Sequence, residues 1–474
     1  MKYEPVIGLE VHVQMDTQSK IFCGCSNKFG SEPNTNVCPV CLGMPGVLPV
    51  LNEKVVDFTV KAGLALNCEI RERSVFARKN YFYPDLPKAY QISQYELPIC
   101  ENGYIDIELE DGTSKRIGIT RIHIEEDAGK LMHSADSSGA DLNRTGTPLM
   151  EIVSEPDIRS AEEAKAYVQK LRTILKYAEV SDCNMEEGSM RCDVNLSLRE
   201  NSDAPFGTRA EIKNVNSFKS VERAAKYEEK RQAKILNDGG KVVQETRLFN
   251  ADTGVTTSMR GKEDAHDYRY FPDPDLVPLV ITKEYINDIN EKLPELPDAR
   301  KKRFIDEYSL PAYDAAFLTS EKTYADFFEK ALKTHNNPKG VSNLIMSELM
   351  RQVNDKQCEI NDAGCSAENL AEIVKLLDKG TISGNISKKL FEEVIATGEK
   401  PSVIVEKKGM AQNSDEGELE SIVQKVIDAN PDETERFRAG DKKLQGFFMG
   451  QIMRESKGKA NPGVVSQLLN KLIK

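Results

Sequence analysis

The chain has 474 residues, 39% apolar and 30% charged, with a formal net charge of −12 and no tryptophan. That composition supports two or three domains with sizeable cores and excludes both a disordered tail and a protein that coats nucleic acid along its whole length. No basic flank precedes an apolar stretch at the N-terminus and no run of about 18 apolar residues occurs, so no secretion signal or membrane span is expected and the expected address is the cytoplasm.

From residue 3 to about 285 short alternating runs predict β-structure, beginning with VIGLEVHVQ and continuing through YIDIELEDGTSKRIGITRIHIEED, TPLMEIV, RCDVNLSL and RAEIKNV. Between the first two lies CGCSNKFGSEPNTNVCPVC, residues 23–41. Its Cys23, Cys25, Cys38 and Cys41 form two short chelating pairs around a polar loop, which suits four thiolates arranged tetrahedrally about zinc. Four thiolates fill the shell and leave no position for a substrate, so the site is expected to be structural. The other six cysteines are scattered in the manner of reduced, mostly structural thiols.

Two long helices are expected within the β-rich part. One starts at Ser160, where S-A-E-E makes a capping box with Glu163, and the other runs from about Phe218 to Asn237 and stops at Asp238-Gly239-Gly240. The proline-rich KLPELPDARKK, residues 292–302, marks a change to helical periodicity. The expected class is therefore α+β: a β-rich domain over residues 1–293, a helical domain over 294–411 and a compact helical tail over 412–474. Asn461 is expected to cap the last helix, with Pro462 in its first position. From residue 436 onward nine basic residues face two acidic ones. Lys442, Lys443, Arg454, Lys457 and Lys459 are the expected phosphate-binding groups there, the alternative being a solvated helix face.

Alternation also sorts the acidic residues. Glu10 and His12 share one face of the first strand, with Ile7, Leu9, Val11 and Val13 on the other. By the same rule Arg121, His123 and Glu125 share a face, as do Arg191, Asp193 and Asn195, and Glu211 and Lys213; Glu151 lies in an apolar setting. Carboxylates gathered on one sheet face, with an imidazole among them, suit magnesium or manganese, the alternative being ordinary solvated acids. No phosphate-binding G-x-x-x-x-G-K-[ST], no dinucleotide G-x-G-x-x-G and no G-x-S-x-G elbow is present.

Longer phrases are more specific. VIGLEVHVQ, RKNYFYPDLPKAYQISQYELPI, LNRTGTPLMEIVSEPDIRS, MEEGSMRCDVNLSLR, DYRYFPDPDLVPL and GFFMGQIMRESKGKANPGVVSQLL, in that order, resemble the B subunits of aspartyl/glutamyl-tRNA(Asn/Gln) amidotransferases over nearly the whole chain. The resemblance implies a β-rich cradle, a helical middle domain and a YqeY-like helical tail that engages tRNA. It implies a ligase of protein biosynthesis that uses ATP and magnesium to phosphorylate the side-chain carboxylate of Glu-tRNA(Gln) or Asp-tRNA(Asn). Ammonia then displaces the phosphate, released from glutamine by an amidase (glutaminase) partner and passed along a channel, with a small third partner completing the heterotrimer. On the matching motifs it places Glu10, His12, Glu125, Glu151, Asp193 and Glu211 around one or two divalent ions. Lys79 is expected beside the transferring phosphoryl group, its alternative being a surface lysine, and Lys88, Tyr90 and Glu126 at the end of the ammonia route. Tyr81, Phe82 and Tyr83 are expected to form a packed aromatic strand in preference to a base-stacking surface. The competing reading is a zinc-bearing, tRNA-binding scaffold without catalysis.

Overall fold

The computed structural model describes residues 3–134, 136–261, 268–413, 415–456 and 458–473, and the chain divides into two compact units, Met1–Pro297 and Asp298–Lys474. A nine-stranded sheet organises the first. In chain order its strands are β1 (Glu4–Gln14), β2 (Glu69–Ile70), β3 (Cys100–Glu108), β4 (Ser114–Glu126), β5 (Pro148–Ser154), β6 (Met190–Arg199), β7 (Ala210–Val215), β8 (Glu245–Asn250) and β9 (Val255–Gly261). Across the sheet they run β9, β8, β7, β6, β1, β5, β4, β3, β2, which puts the first strand of the chain at the centre.

Three helices, α1 (Glu53–Ala65), α2 (Ala161–Tyr177) and α3 (Phe218–Asn237), pack on this sheet. All neighbouring strands are antiparallel except β7 and β8, which are parallel because α3 carries the chain back between them. The alternation of β1 sets which face the helices cover. Ile7, Leu9, Val11 and Val13 are buried in one core with Tyr167, Val168 and Leu171 of α2, whereas Glu10, His12 and Gln14 are only partly buried. Each such apolar side chain stabilises the sandwich by roughly 2 kcal/mol, so the register of the central strand is strongly specified.

Ser160 caps α2 as expected, accepting from Glu163 N at 3.1 Å, while the Glu163 carboxylate turns back to accept from Arg159 N at 2.7 Å. Helix α1 runs against local expectation, because its Val55, Val56, Thr59 and Val60 have the β-branched look of a strand. Those residues recur at helical spacing on one buried face, and Asn52 caps the turn by accepting from Lys54 N at 2.9 Å. Tertiary burial overrides propensity there.

A smaller three-stranded sheet sets Ala77–Asn80 between Phe271–Pro272 and Tyr90–Ser93. Arg78 binds it together, donating to Asp273 Oδ2 and Asp275 Oδ2 at 2.8 Å each and stacking 4.2 Å from the centre of the Tyr90 ring. The second unit is helical, with no strand among its described residues, and holds separate apolar clusters over residues 304–405 and 419–473. Leu293 and Leu296 still pack on the first core, so the first unit extends to Pro297, four residues past the expected 293. Asn461 caps the last helix by accepting from Gly463 N, and Pro462 opens it.

Leu9 is 1% exposed at the centre of the first core. Leu9→Ala should therefore lower the stability of this unit by about 3 kcal/mol, read as a lower denaturant midpoint with an unchanged slope.

Candidate active site

The face of the sheet opposite the three helices gathers the acidic residues of five adjacent strands, several of them buried. Register does the gathering: Glu10 lies opposite Asp193, His12 opposite Glu151, Glu151 opposite His123, and Asn195 opposite Glu211. Two groups of ligand atoms result, each within 4.8 Å: His12 with Glu125 and Glu151, and Glu10 with Asp193 and Glu211. All six expected metal-binding residues thus lie on one sheet face, distributed over β7, β6, β1, β5 and β4.

In the first group His12 Nε2 stands 3.3 Å from Glu151 Oε2 and 3.7 Å from Glu125 Oε1. Burial alone would lower the His12 pKa, but its hydrogen bond to Glu151 and the charges of Glu151, Glu125 and Asp193 outweigh that and raise it to about 9. His123, not assigned a role from sequence although alternation puts it beside Glu125, completes the group. Its Nδ1 accepts from Arg121 Nε at 3.4 Å, which leaves Nε2 facing Glu151 Oε2 at 3.4 Å, and burial brings its pKa down to about 4. Burial works to raise Glu151, yet His123, His12 and Lys79 hold it well below the usual carboxylate range; with His123 neutral, His12 and Lys79 supply the cationic charge at neutral pH. Glu125 is raised by burial and by the charge of Glu151. Its Oε2 is buried without a hydrogen-bond partner, an orphaned acceptor that a hard cation would satisfy.

In the second group Asn195 Nδ2 donates to Glu10 Oε1 at 2.9 Å and Thr246 Oγ1 to Glu211 Oε2 at 2.8 Å. Lys213 pairs with Asp193 and lies 3.4 Å from Glu211 Oε1, a countercharge that its place beside Glu211 in the sequence had already signalled. Next to the groups, Asp127 accepts from Gln14 and Arg191, both at 2.9 Å.

Lys79 comes from the small sheet. Burial works against its charge, but Glu125, Tyr270 and Glu151 hold its pKa above the ordinary lysine range, and its ammonium lies 4.9 Å from the Tyr268 ring centre. It is no isolated surface lysine. Tyr81 packs edge-on to Tyr268 at 6.1 Å, and Tyr270 stacks on Tyr95 at 4.3 Å. The strand ends at Asn80 and Phe82 is 82% and Tyr83 51% exposed, so the packed aromatic strand expected from sequence does not form and only Tyr81 packs.

Lys88, Tyr90 and Glu126 also come together. Lys88 pairs with Glu126, whose Oε1 accepts from Ile92 N at 2.8 Å, and all three residues line a cavity of about 120 Å³. Across it stands the cysteine loop. The four sulfurs lie within 4.8 Å of one another, with Cys38 and Cys41 Sγ 3.9 Å apart. Zinc–sulfur bonds of about 2.3 Å set tetrahedral sulfurs about 3.8 Å apart, so the residues fit that ion. A hydrogen bond from Cys23 draws the Cys41 thiol down to about 4 against the cost of burial, aided by Cys38 N and Lys20, while burial pushes Cys25 up to about 11. In the second unit Lys442, Lys443, Arg454 and Lys459 are exposed; Lys457 lies outside the described residues.

A sheet face bearing two such ligand groups, followed by a helical unit, places the chain in a defined class: the family model described as GatB/GatE catalytic domain matches residues 5–287, and the one described as GatB domain matches residues 326–473. The chain belongs to the family of aspartyl/glutamyl-tRNA(Asn/Gln) amidotransferase B subunits. Relatives of that name are 60% identical over 476 residues in Geotalea daltonii, covering 99% of each chain, and 58% identical over 475 residues in Persephonella marina, covering all of both. Another, from Caldanaerobacter subterraneus subsp. tengcongensis, is 59% identical over 470 residues and 99% of each chain.

The raised His12 pKa has a testable sign. Its contribution to stability is complete below the unfolded value of 6.5 and is lost as pH rises through about 9. A divalent ion that takes the His12 imidazole must displace its proton, so Mn²⁺ affinity should rise with pH between 6.5 and 9, with about one proton released per ion. Calorimetry in two buffers of different ionisation enthalpy reads both quantities, and a flat affinity across that range contradicts the assignment.

Proposed function

We propose that this chain is the catalytic B subunit of a glutamine-dependent tRNA amidotransferase, a cytoplasmic ligase acting with an amidase (glutaminase) partner and a small third partner. Its substrate is Glu-tRNA(Gln), Asp-tRNA(Asn) or both. In the first step a side-chain carboxylate oxygen bonds to the γ-phosphorus of ATP and ADP leaves. In the second, the lone pair of ammonia attacks the acyl carbon, phosphate departs with the bonding pair, and the nitrogen gives a proton to a carboxylate of the site. The observation that carries this reading is the pair of three-ligand groups on one sheet face with Lys79 held against them.

Phosphorylating a carboxylate brings two anions together, and hydrolysis competes wherever water enters. Magnesium or manganese, when bound, supplies Lewis-acid neutralisation of the phosphoryl oxygens. His12, Glu125 and Glu151 would hold one ion, and Glu10, Asp193 and Glu211 a second. Lys79 keeps its charge at any physiological pH and suits the oxygens of the transferring group. Lys213 offsets the repulsion between Asp193 and Glu211. Lys88, Tyr90 and Glu126 line a cavity large enough for ammonia and too small for a nucleotide, which supports placing them at the end of the ammonia route. Zinc on Cys23, Cys25, Cys38 and Cys41 is structural in this reading. Lys442, Lys443, Arg454, Lys459 and, by its place in the sequence, Lys457 meet tRNA phosphates.

In the assembled complex, Glu125→Gln or Asp193→Asn should reduce ATP-dependent amidation of misacylated tRNA by more than about a hundredfold while leaving tRNA affinity within about twofold. Undiminished amidation in both variants refutes the metal-dependent reading. Removing residues 412–474 should weaken tRNA binding far more than ATP binding, and steepest at low salt, because the lost contacts are ionic. Equal tRNA affinity after the truncation refutes the role of the tail.

A further inference from the structure

Residues 17–52 contain no helix and no strand longer than an isolated bridge between Ser19 and Ser26. A loop of that length is held by its cross-links: Asn34 and Asn36 tie it to Asp141 and Asn143, Ile21 N donates to Gly146 O, and a further set gathers at Cys41. Cys38 N donates to Cys41 Sγ at 3.2 Å and Lys20 Nζ approaches the same sulfur at 3.7 Å. Lys20 is fully buried and its other acceptor is the Leu142 carbonyl at 3.4 Å; no carboxylate pairs with it among the described residues. A buried ammonium without a carboxylate needs a nearby anion, and a metal centre of four thiolates carries a net negative charge.

The same loop forms one wall of the cavity that holds Lys88 and Glu126: Lys20, Cys23, Val40, Cys41 and Met44 line it. Just past Cys41 the chain turns, Leu42 N donating to Cys38 O and Gly43 N to Val40 O, each at 3.0 Å. Gly43 then rests on the Lys88 stem so closely that a Cβ there, at φ +66°, would stand 2.4 Å from Lys88 Cγ. The cysteine turn and the cavity lysine are in direct mechanical contact.

We propose that the tetracysteine centre, loaded with zinc and braced by Lys20, clamps Lys88 in place, so that metal loading governs delivery of nitrogen from glutamine and not the amidation chemistry. The inference rests on the ammonia route proposed above. Ammonium supplied in solution reaches the acidic face from bulk water, whereas glutamine-derived ammonia must pass the cavity.

The test uses the complete heterotrimer, with zinc removed by a chelator and magnesium replenished, and compares glutamine with ammonium chloride as nitrogen source. Glutamine-driven amidation should fall by about tenfold or more, while ammonium-driven amidation stays within about twofold and glutamine hydrolysis continues. Lys20→Met, which keeps all four thiols, should release zinc to a colorimetric chelator about tenfold faster and show the same split in smaller measure. A parallel fall with both nitrogen sources, or no fall with either, overturns the clamp, as do unchanged zinc release and coupling in Lys20→Met. An untreated complex that cannot use ammonium at all removes the ammonia route itself, and the clamp with it.

Discussion

Five carboxylates confined to one face of one sheet, Glu10, Glu125, Glu151, Asp193 and Glu211, repel one another, and the cradle is arranged around that repulsion. Two carboxylates about 4 Å apart oppose each other by about 4 kcal/mol at the effective dielectric of a protein surface, and three strands supply the relief. His12 keeps its proton between Glu151 and Glu125, Lys213 bridges Asp193 and Glu211, and Lys79 leans in from the small sheet. A metal ion replaces these partial measures with a larger charge at shorter range, which is why a face that is strained as bare protein is well suited to hold one.

The end of strand β4 ties this face to the cavity beside the cysteine loop. Glu125 and Glu126 are consecutive, so the pleat points them to opposite sides. Glu125 enters the group with His12 and Glu151, and Glu126 pairs with Lys88. Two chemically different places are therefore one peptide bond apart. A displacement of the strand end is felt in both, and Thr147 O and Pro148, which hold it through Asp127 N and the β5 register, are part of the same joint.

The terminal basic excess is less uniform in space than along the chain. Arg436 is neutralised by Asp441 and Lys471 lies 3.8 Å from Glu420. Of the basic groups left exposed without an ion pair among the described residues, Lys442, Lys443, Arg454 and Lys459 flank the two ends of the helix Leu444–Glu455, while Arg438 donates to the Ile473 carbonyl. Most of the charge available to a polyanion is thus gathered near that helix.

Local chemistry determined a good deal on its own. Period-two alternation assigned the faces of β1, β4 and β6, the caps at Ser160 and Asn461 marked helix starts, and the spacing of the four cysteines announced a common centre. These were legible because each depends on neighbours a few residues away. Helix α1 was not, since the burial that overrides its β-branched residues comes from distant strands. Nor was the division of the acids into two groups, the meeting of His123 with Glu151 and of Lys213 with Asp193, or the Gly43 contact with Lys88. Those depend on strand order and register, in which β1 sits between β5 and β6 although well over a hundred residues separate them in the chain. Alternation tells a side chain which face it occupies; only the pairing of strands tells it which charges it will meet there.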